Sequence, residues 1–137
     1  MDVAADFPGK RRTLLLNGWW DFQPVPHPDL AVPLEPDEVP SSGWEEHSYL
    51  VPGFFTDHPY PPSWREGRSG WARTRFTLPH WNASERVLLH VRAAIPRAHV
   101  FINGQRAYIQ EDMFLGDAED VTHFLHEGEN ELAILLS

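Results

Sequence analysis

The chain has 137 residues, no cysteine and a formal net charge of −9, with six Trp and eight Phe as large apolar side chains. This length supports a single domain with one hydrophobic core, and the lack of cysteine excludes disulfides, thiolate metal sites and thiol nucleophiles. The acidic balance opposes binding to nucleic acid or to an anionic membrane surface, because both need clustered Lys and Arg.

The N-terminal segment, residues 1–12, is predicted to be a flexible lead, and the domain is predicted over residues 13–137. The lead has no apolar stretch of signal-peptide length, and no run in the chain approaches the length of a membrane span. These features predict a cytoplasmic protein with no membrane partner.

The first element of the domain surrounds Asn17-Gly18, which lies between two apolar runs. Asn-Gly in this setting predicts a short hairpin or a tight bend. Alternate residues of a strand share a face, so Trp20 and Phe22 are predicted to point into the core. Trp19 then points the other way, where its ring could serve as a platform for a sugar.

Residues 24–40 are dense in proline, which excludes a helix or a central strand. We expect a surface connection there, an insertion with no functional signal. Trp44 and a short strand follow, and the strand ends at Val51-Pro52-Gly53. The Pro-Gly pair suits a type II turn, because Pro fixes the first central residue and Gly supplies positive φ at the second.

The loop at residues 56–69 combines acidic, basic and aromatic side chains with three stiffening prolines. Such loops are where binding functions commonly lie on a β scaffold. A sugar needs hydrogen-bonding groups for its hydroxyls and an aromatic face for its ring. The candidate carbohydrate-binding residues are Asp57, His58, Tyr60, Trp64 and Arg68. The alternative is that Tyr60 and Trp64 seal the end of a sandwich while Asp57 caps a turn.

The segment at residues 70–79 alternates strictly, as a half-buried strand does. Ala72, Thr74, Phe76 and Leu78 are predicted on the core face, with Trp71, Arg73, Arg75 and Thr77 on the other. Arg73 and Arg75 are expected either to face solvent or to form a salt bridge with a neighbouring domain.

The segment at residues 86–109 predicts antiparallel strands. Its first part places Val87, Leu89, Val91 and Ala93 on one face. A second strand, residues 99–102, leads into Asn103-Gly104, and residues 105–109 form the return strand. Asn-Gly between apolar runs predicts a type I′ hairpin turn.

The C-terminal part consists of a turn and a long apolar strand that follows Gly128-Glu129-Asn130. His123 and His126 could share one helix face, but without a well-spaced third ligand they do not make a metal site. No phosphate-binding, metal or nucleophile motif is present in the sequence. We therefore expect neither a metal nor a cofactor.

These blocks, in this order, resemble the N-terminal sugar-binding domain of glycoside hydrolase family 2, which includes β-galactosidases, β-glucuronidases and β-mannosidases. The residues that carry the resemblance are Leu16-Asn17-Gly18-Trp19-Trp20-Asp21-Phe22, Trp44, Val51-Pro52-Gly53, Gly70-Trp71, Leu78-Pro79, Val100-Phe101-Ile102-Asn103-Gly104, Asp120-Val121-Thr122 and Gly128-Glu129-Asn130. The loop at residues 110–119 departs from the family pattern, so ligand contacts that relatives make there cannot be transferred.

The resemblance implies an all-β, jelly-roll β-sandwich of the galactose-binding-domain-like kind. It covers roughly the first three quarters of that domain, so the last segments are expected to be missing. It also implies a carbohydrate partner, a β-glycoside, together with an Ig-like domain and a barrel domain that this chain does not contain.

Retaining glycoside hydrolysis needs two carboxylates about 5–5.5 Å apart, which family 2 carries on a (β/α)₈ barrel of about 250 residues. This chain is too short for that barrel, so no catalytic residue is assigned to it. The leading hypothesis is a non-catalytic domain that supports and borders the active site of a glycosidase. The alternatives are a stand-alone carbohydrate-binding module using Trp64, Tyr60 and Trp19, or a sandwich that forms homo-oligomers through exposed strand edges.

Overall fold

The computed structural model describes residues 2–7, 12–25, 36–51, 60–66, 69–92, 97–111 and 118–136. These ranges contain ten strands, one four-residue helical turn and one 3₁₀ turn at Thr122–Phe124. The strands and the helical turn are β1 (Asp2–Phe7), β2 (Arg12–Leu15), β3 (Gly18–Val25), β4 (Glu45–Val51), α1 (Ser63–Glu66), β5 (Ser69–Leu78), β6 (Leu88–Arg92), β7 (Ala98–Ile102), β8 (Gln105–Gln110), β9 (Glu119–Asp120) and β10 (Gly128–Leu136).

The strands form two sheets in which every pairing is antiparallel. The four-stranded sheet has the order β2-β1-β6-β9, and the six-stranded sheet has the order β4-β3-β5-β10-β7-β8. The expectation of an all-β fold built from antiparallel sheets is confirmed. Among the described residues, no helix is both long and apolar enough to cross a membrane.

The hydrophobic core lies between the two sheets. One cluster contains Leu89 and Val91 from the four-stranded sheet together with Phe76 and Ile134 from the six-stranded sheet. The predicted alternation is confirmed, since Ala72, Phe76 and Leu78 are buried while Arg75 and Thr77 of the same strand are exposed. Alternate residues of a strand point to opposite faces, so the period of two in the sequence assigns each side chain its face.

The hairpin at Asn103-Gly104 is confirmed. Both residues have positive φ, 50° and 80°, as a type I′ turn requires. The Asn103 amide donates to Asn130 Oδ1 at 2.9 Å, and its Oδ1 accepts from the Glu131 N–H at 2.9 Å. Two motifs that carry the family resemblance are thus joined by hydrogen bonds, and both are structural.

The expectation of a flexible lead is corrected, because residues 2–7 form β1. That strand pairs with β2 on one side and with β6 on the other, so it lies inside the four-stranded sheet. One neighbour, β2, is the next strand along the chain, but the other, β6, lies more than 80 residues away from β1 (Asp6 opposite Leu88). Local sequence signals do not reveal such partners.

The second Asn-Gly does not form a hairpin. Asn17-Gly18 lies between β2 and β3, which belong to different sheets, so it is a bend that carries the chain from one layer to the other. β2 pairs with β1, and β3 pairs with β4 and β5, so the two strands that flank Asn17-Gly18 do not pair with each other.

The proline-dense segment also departs from expectation, because β3 continues through Pro24 to Val25 and pairs with β5 there. The pairing of β3 with β4 has already ended at Phe22, opposite Glu45. Pro24 therefore lies where β3 has one neighbour, which is where a sheet tolerates a residue without an N–H donor. The predicted turn at Pro52-Gly53 lies outside the described residues.

Candidate functional site

Two of the five predicted sugar-binding residues lie in the described part of the chain. Tyr60 and Trp64 flank the start of α1, where the Trp64 N–H donates to the Pro61 carbonyl at 3.0 Å. Asp57, His58 and Arg68 lie outside the described residues.

The rings of Tyr60 and Trp64 pack against the end of the core. They stack on one another with centroids 5.0 Å apart and planes 14° apart, and Trp64 also lies 4.1 Å from Phe22. The Tyr60 hydroxyl accepts a hydrogen bond from the Leu50 N–H at 2.9 Å. Only 2% of Trp64 is exposed, so its ring offers no open face to a sugar. Carbohydrate contacts by the other residues of this loop stay a prediction.

The Gly-Trp motif at the start of β5 has a packing reason. A Cβ atom on Gly70 would lie 2.2 Å from Cζ of Phe22, whose side chain is completely buried. Only glycine leaves room for this ring at that position. Phe22 in turn contacts Trp64, so the motif fixes the inner end of the aromatic stack.

A shallow depression of about 300 Å³ lies on the face of the six-stranded sheet that points away from the core. Strands β3, β4 and β5 supply its lining, which is predominantly polar and charged. The lining residues are Trp19, Asp21, Glu46, His47, Arg73, Thr74 and Arg75.

An ion pair between Asp21 and Arg73 forms the floor of this depression. The Nε and Nη2 atoms of Arg73 both donate to Asp21 Oδ2, at 2.9 and 2.8 Å, and each side chain is only 11% exposed. Arg73 also lies 3.5 Å from a carboxylate oxygen of Glu131 and 4.3 Å from the ring centroid of Trp44. Arg73 was expected either to face solvent or to form a salt bridge with a neighbouring domain. The structure shows neither, because Arg73 is mostly buried and pairs with Asp21 of its own sheet.

The second oxygen of Asp21 holds an irregular part of β4. Trp20 pairs with Tyr49 and Phe22 pairs with Glu45. The three residues 46–48 of β4 therefore lie opposite a single residue of β3, Asp21. His47 lies in this bulge with φ of 49°, a backbone conformation that is uncommon for any residue other than Gly, although His, like Asn and Asp, adopts it more often than most. Its N–H donates to Asp21 Oδ1 at 3.1 Å. The bulge turns the exposed side chains of Glu46 and His47 toward the depression.

One rim of the depression is apolar. Trp19 and Leu50 are partners across β3 and β4, and they are 56% and 42% exposed. Within the described ranges, no ring contact or cation–π contact involves Trp19. An exposed indole beside mixed charges is the feature that distinguishes this part of the surface.

Another part of the same sheet face is covered. Trp71, Phe101, Ala133 and Leu135 form a second buried cluster there, against which Val25, Val39 and Trp44 pack. The Trp44 indole N–H donates to the Pro40 carbonyl at 3.0 Å. The described end of the proline-dense connection, residues 36–44, therefore covers part of the sheet, a structural role that its composition did not indicate.

Three titratable groups elsewhere in the described structure have a shifted pKa. A hydrogen bond to Glu127 raises the pKa of the exposed His80, and hydrogen bonds from Thr122 lower the pKa of Asp120. Burial raises the pKa of Tyr108. No cluster of three or more His, Cys, Asp or Glu side chains that could hold a metal occurs in the described part of the chain.

Sequence reasoning singled out Trp19 but missed Asp21, Glu46 and His47. Asp21 had a usable signal, because an acid inside an apolar strand at the same alternation as Trp19 must share its face. The positive φ of His47 had none, since the bulge follows from how β4 pairs with β3.

Comparison with known proteins identifies the family of this fold. Residues 46–137 match the family model described as glycosyl hydrolase 2 galactose-binding domain-like. The chain is 30% identical over 142 residues to a β-galactosidase of Alteromonas mediterranea, covering 89% of this chain and 13% of that protein. It is also 30% identical over 152 residues to a β-galactosidase of Yersinia enterocolitica, covering 99% and 14%.

Solved structures agree at the level of the fold. A β-glucuronidase from an uncultured Clostridium species superposes with a TM-score of 0.69 at 21% identity, covering 100% of this chain and 22% of the other. The Bifidobacterium dentium β-glucuronidase complexed with coumarin-3-O-glucuronide gives 0.67 at 26% identity, covering 99% and 20%.

The chain thus spans between 13% and 22% of the length of these relatives, and it matches only the N-terminal domain portion of family 2 glycosidases. The resemblance seen in the motifs is confirmed. The chain belongs to the glycosyl hydrolase 2 galactose-binding domain-like family.

Proposed function

We propose that this chain is the non-catalytic N-terminal sugar-binding domain of a retaining family 2 glycosidase, which supports and borders the active site of a barrel outside this chain. The observation that carries the proposal is the extent of the match, because the whole chain aligns with one small part of much longer glycosidases.

The carboxylates in the depression support a non-catalytic role. A retaining mechanism needs one free carboxylate as nucleophile and a second carboxyl that holds a proton. Both oxygens of Asp21 are engaged, one by Arg73 and the other by the His47 N–H. Asp21 is also only 8% exposed, so a substrate cannot reach it, and Glu46 is the only other carboxylate among the described residues that line the depression.

The partners follow from the same proposal. The parent protein would supply an Ig-like domain and a barrel, and its substrate would be a β-glycoside. The matched proteins are called β-galactosidases and β-glucuronidases, so a β-galactoside and a β-glucuronide are the first substrates to test. The loop that contains Asp57, His58 and Arg68 would border the sugar.

The first experiment asks where the chemistry lies. The purified 137-residue chain is assayed on nitrophenyl β-galactoside, β-glucuronide and β-mannoside, and no turnover above buffer is expected. Reading the gene beyond the codon for Ser137 should show an Ig-like segment and a barrel in frame. Turnover by the chain alone would sink the proposal.

The second experiment tests whether the loop borders the active site. In the full-length enzyme, Asp57→Ala and His58→Ala are expected to raise KM for the preferred nitrophenyl glycoside. Asp37→Ala is the matched control, because Asp37 is an exposed acid on the described part of the proline-dense connection. Equal kinetics for all three variants would remove the loop from the proposed site.

A homo-oligomer formed through strand edges is kept as a separate hypothesis. Strands β4 and β8 end the six-stranded sheet, and β2 and β9 end the four-stranded sheet, within the described ranges. An edge strand can pair with another copy. Light scattering decides the question, since a monomer at high concentration would contradict pairing between copies.

A further inference from the structure

We propose that the depression on the outer face of β3, β4 and β5 is a binding site for a neutral saccharide, with Trp19 as its stacking platform. None of the described residues that line the depression belongs to the loop predicted at residues 56–69. The inference goes beyond the proposed function, because it concerns the chain by itself and does not depend on an attached barrel.

The first argument is the exposure of Trp19. More than half of this side chain meets solvent, and its partner across the strands, Leu50, is exposed as well. Another tryptophan on the same sheet face, Trp44, is half-buried, because its ring packs on the Arg73 guanidinium and its N–H donates to the Pro40 carbonyl. In the described part of the chain, Trp19 makes no such ring or cation–π contact. An indole is apolar on its face and polar at its N–H, which suits a ligand with C–H groups on one side and hydroxyls around its edge.

The second argument is the mixture of charges around the indole. Asp21 and Arg73 neutralise each other in the floor, and Glu46 and Arg75 bring one charge of each sign to the wall. Glu46 accepts hydrogen bonds, Arg75 donates them, and the His47 imidazole can do both. Hydroxyl groups need both donors and acceptors, whereas a phosphate or nucleic acid would need a surplus of positive charge.

Arg75 also indicates which sugar fits. Its guanidinium lies 3.9 Å from carboxylate oxygens of both Glu129 and Glu131. A uronic acid placed against Arg75 would bring a third carboxylate close to those two. Like charges repel, so a neutral hexopyranoside is favoured over a glucuronide at this site.

The third argument is rigidity. The His47 backbone is held at positive φ by its hydrogen bond to Asp21, and Asp21 is held by two bonds from Arg73. Backbone strain of this kind persists only where the surroundings enforce it, and it is concentrated at ligand sites. A wall that is already ordered loses less entropy when a ligand binds. A volume of about 300 Å³ lies at the lower end of the range for small-molecule pockets, which matches one or two sugar rings.

The experiment is a titration of the purified chain with methyl β-galactoside, methyl β-mannoside and methyl β-glucuronide, observed by saturation-transfer NMR and calorimetry. Millimolar binding of a neutral glycoside is expected, with the glucuronide weaker. Trp19→Ala should weaken binding by at least about tenfold, a factor equal to about 1.4 kcal/mol. Leu15→Ala is the matched control, because Leu15 is an exposed apolar residue on an edge strand of the other sheet.

A second variant keeps the fold and the volume of the wall. Glu46→Gln removes a charge from an exposed side chain, so it should leave stability unchanged and weaken sugar binding. Absence of saturation transfer from all three glycosides, or equal binding by the wild type and Trp19→Ala, would overturn the proposal. Self-association that Trp19→Ala abolishes, without any sugar binding, would also overturn it and would identify the face as a protein interface.

Discussion

The outer face of the six-stranded sheet has two halves, and their aromatic side chains differ in how far they are exposed to solvent. On β5, β7 and β10, Trp71 and Phe101 are buried beneath residues 36–44 of the same chain. On β3 and β4, Trp19 remains 56% exposed beside a charged depression. Both halves belong to one sheet, so sheet formation alone does not explain the difference.

Arg73 lies at the boundary between the halves. Its guanidinium contacts the ring of Trp44 on the covered side and binds Asp21 on the open side. The covered half gains stability from apolar burial. The open half exposes an indole and holds a strained residue in position, and neither feature adds to stability. The covered half therefore stabilises the fold by apolar burial, whereas the open half contains the proposed saccharide site.

The largest effect is expected from a pair of aromatic truncations, one in each half. Phe101→Ala removes a ring that is 1% exposed and packs edge-on against Trp71, so it should lower the free energy of unfolding by about 4 kcal/mol. Trp19→Ala removes a larger but exposed ring and should change that free energy by no more than about 0.5 kcal/mol. Urea denaturation followed by circular dichroism measures both. Similar losses for the two variants would show that the halves are not different.

The boundary ion pair gives the next largest effect. Asp21→Ala leaves Arg73 buried without its main partner and the His47 N–H without an acceptor, so a loss of about 3 kcal/mol is expected. Glu129→Gln is the control, because it removes only an exposed partner 3.9 Å from Arg75 and should cost less than about 0.5 kcal/mol. Equal midpoints in urea would contradict the structural role assigned to Asp21.

The sequence predicted those parts of the fold that depend on local pattern. Alternation assigned the faces of β5 and β6, and the requirement for positive φ located the turn at Asn103-Gly104. It failed where the outcome depends on distant pairing. Residues 2–7 became an inner strand because β6, far along the chain, pairs with them on the side away from β2. Of the hairpin or tight bend expected at Asn17-Gly18, the bend is what forms, because β2 and β3 belong to different sheets.

The candidate site was less predictable. Residue type drew attention to Tyr60 and Trp64, but residue type does not say whether a ring is covered, and Trp64 is packed against Phe22 and Tyr60. The depression depends on a bulge in β4 and on an ion pair between β3 and β5. The bulge and the ion pair both depend on which residues of neighbouring strands lie opposite each other, and the sequence alone does not reveal this register.

A smaller effect is expected for the cover of the buried half. Trp44→Ala removes a half-buried indole from Arg73 and from the hydrophobic cluster beneath it, so a loss of about 2 kcal/mol is expected. Trp44→Phe keeps a ring but loses the hydrogen bond to the Pro40 carbonyl, so it should cost about 1 kcal/mol. The same urea titration separates the two. If Trp44→Ala were neutral, residues 36–44 would not stabilise the sheet they cover.

The smallest effect concerns the backbone strain at His47 in the open half. It is measured as the difference in the free energy of unfolding between two variants of this residue. His47→Ala and His47→Gly both remove the imidazole from an exposed position, but only glycine adopts positive φ without a steric cost. That cost is about 1 kcal/mol for other residues, so the glycine variant should be the more stable by up to about 1 kcal/mol. Gly also has greater freedom in the unfolded chain, which reduces the difference but is not expected to reverse it. If both variants unfold at the same urea concentration, the bulge stores no strain, and the wall of the depression is no more preordered than any other edge of the sheet.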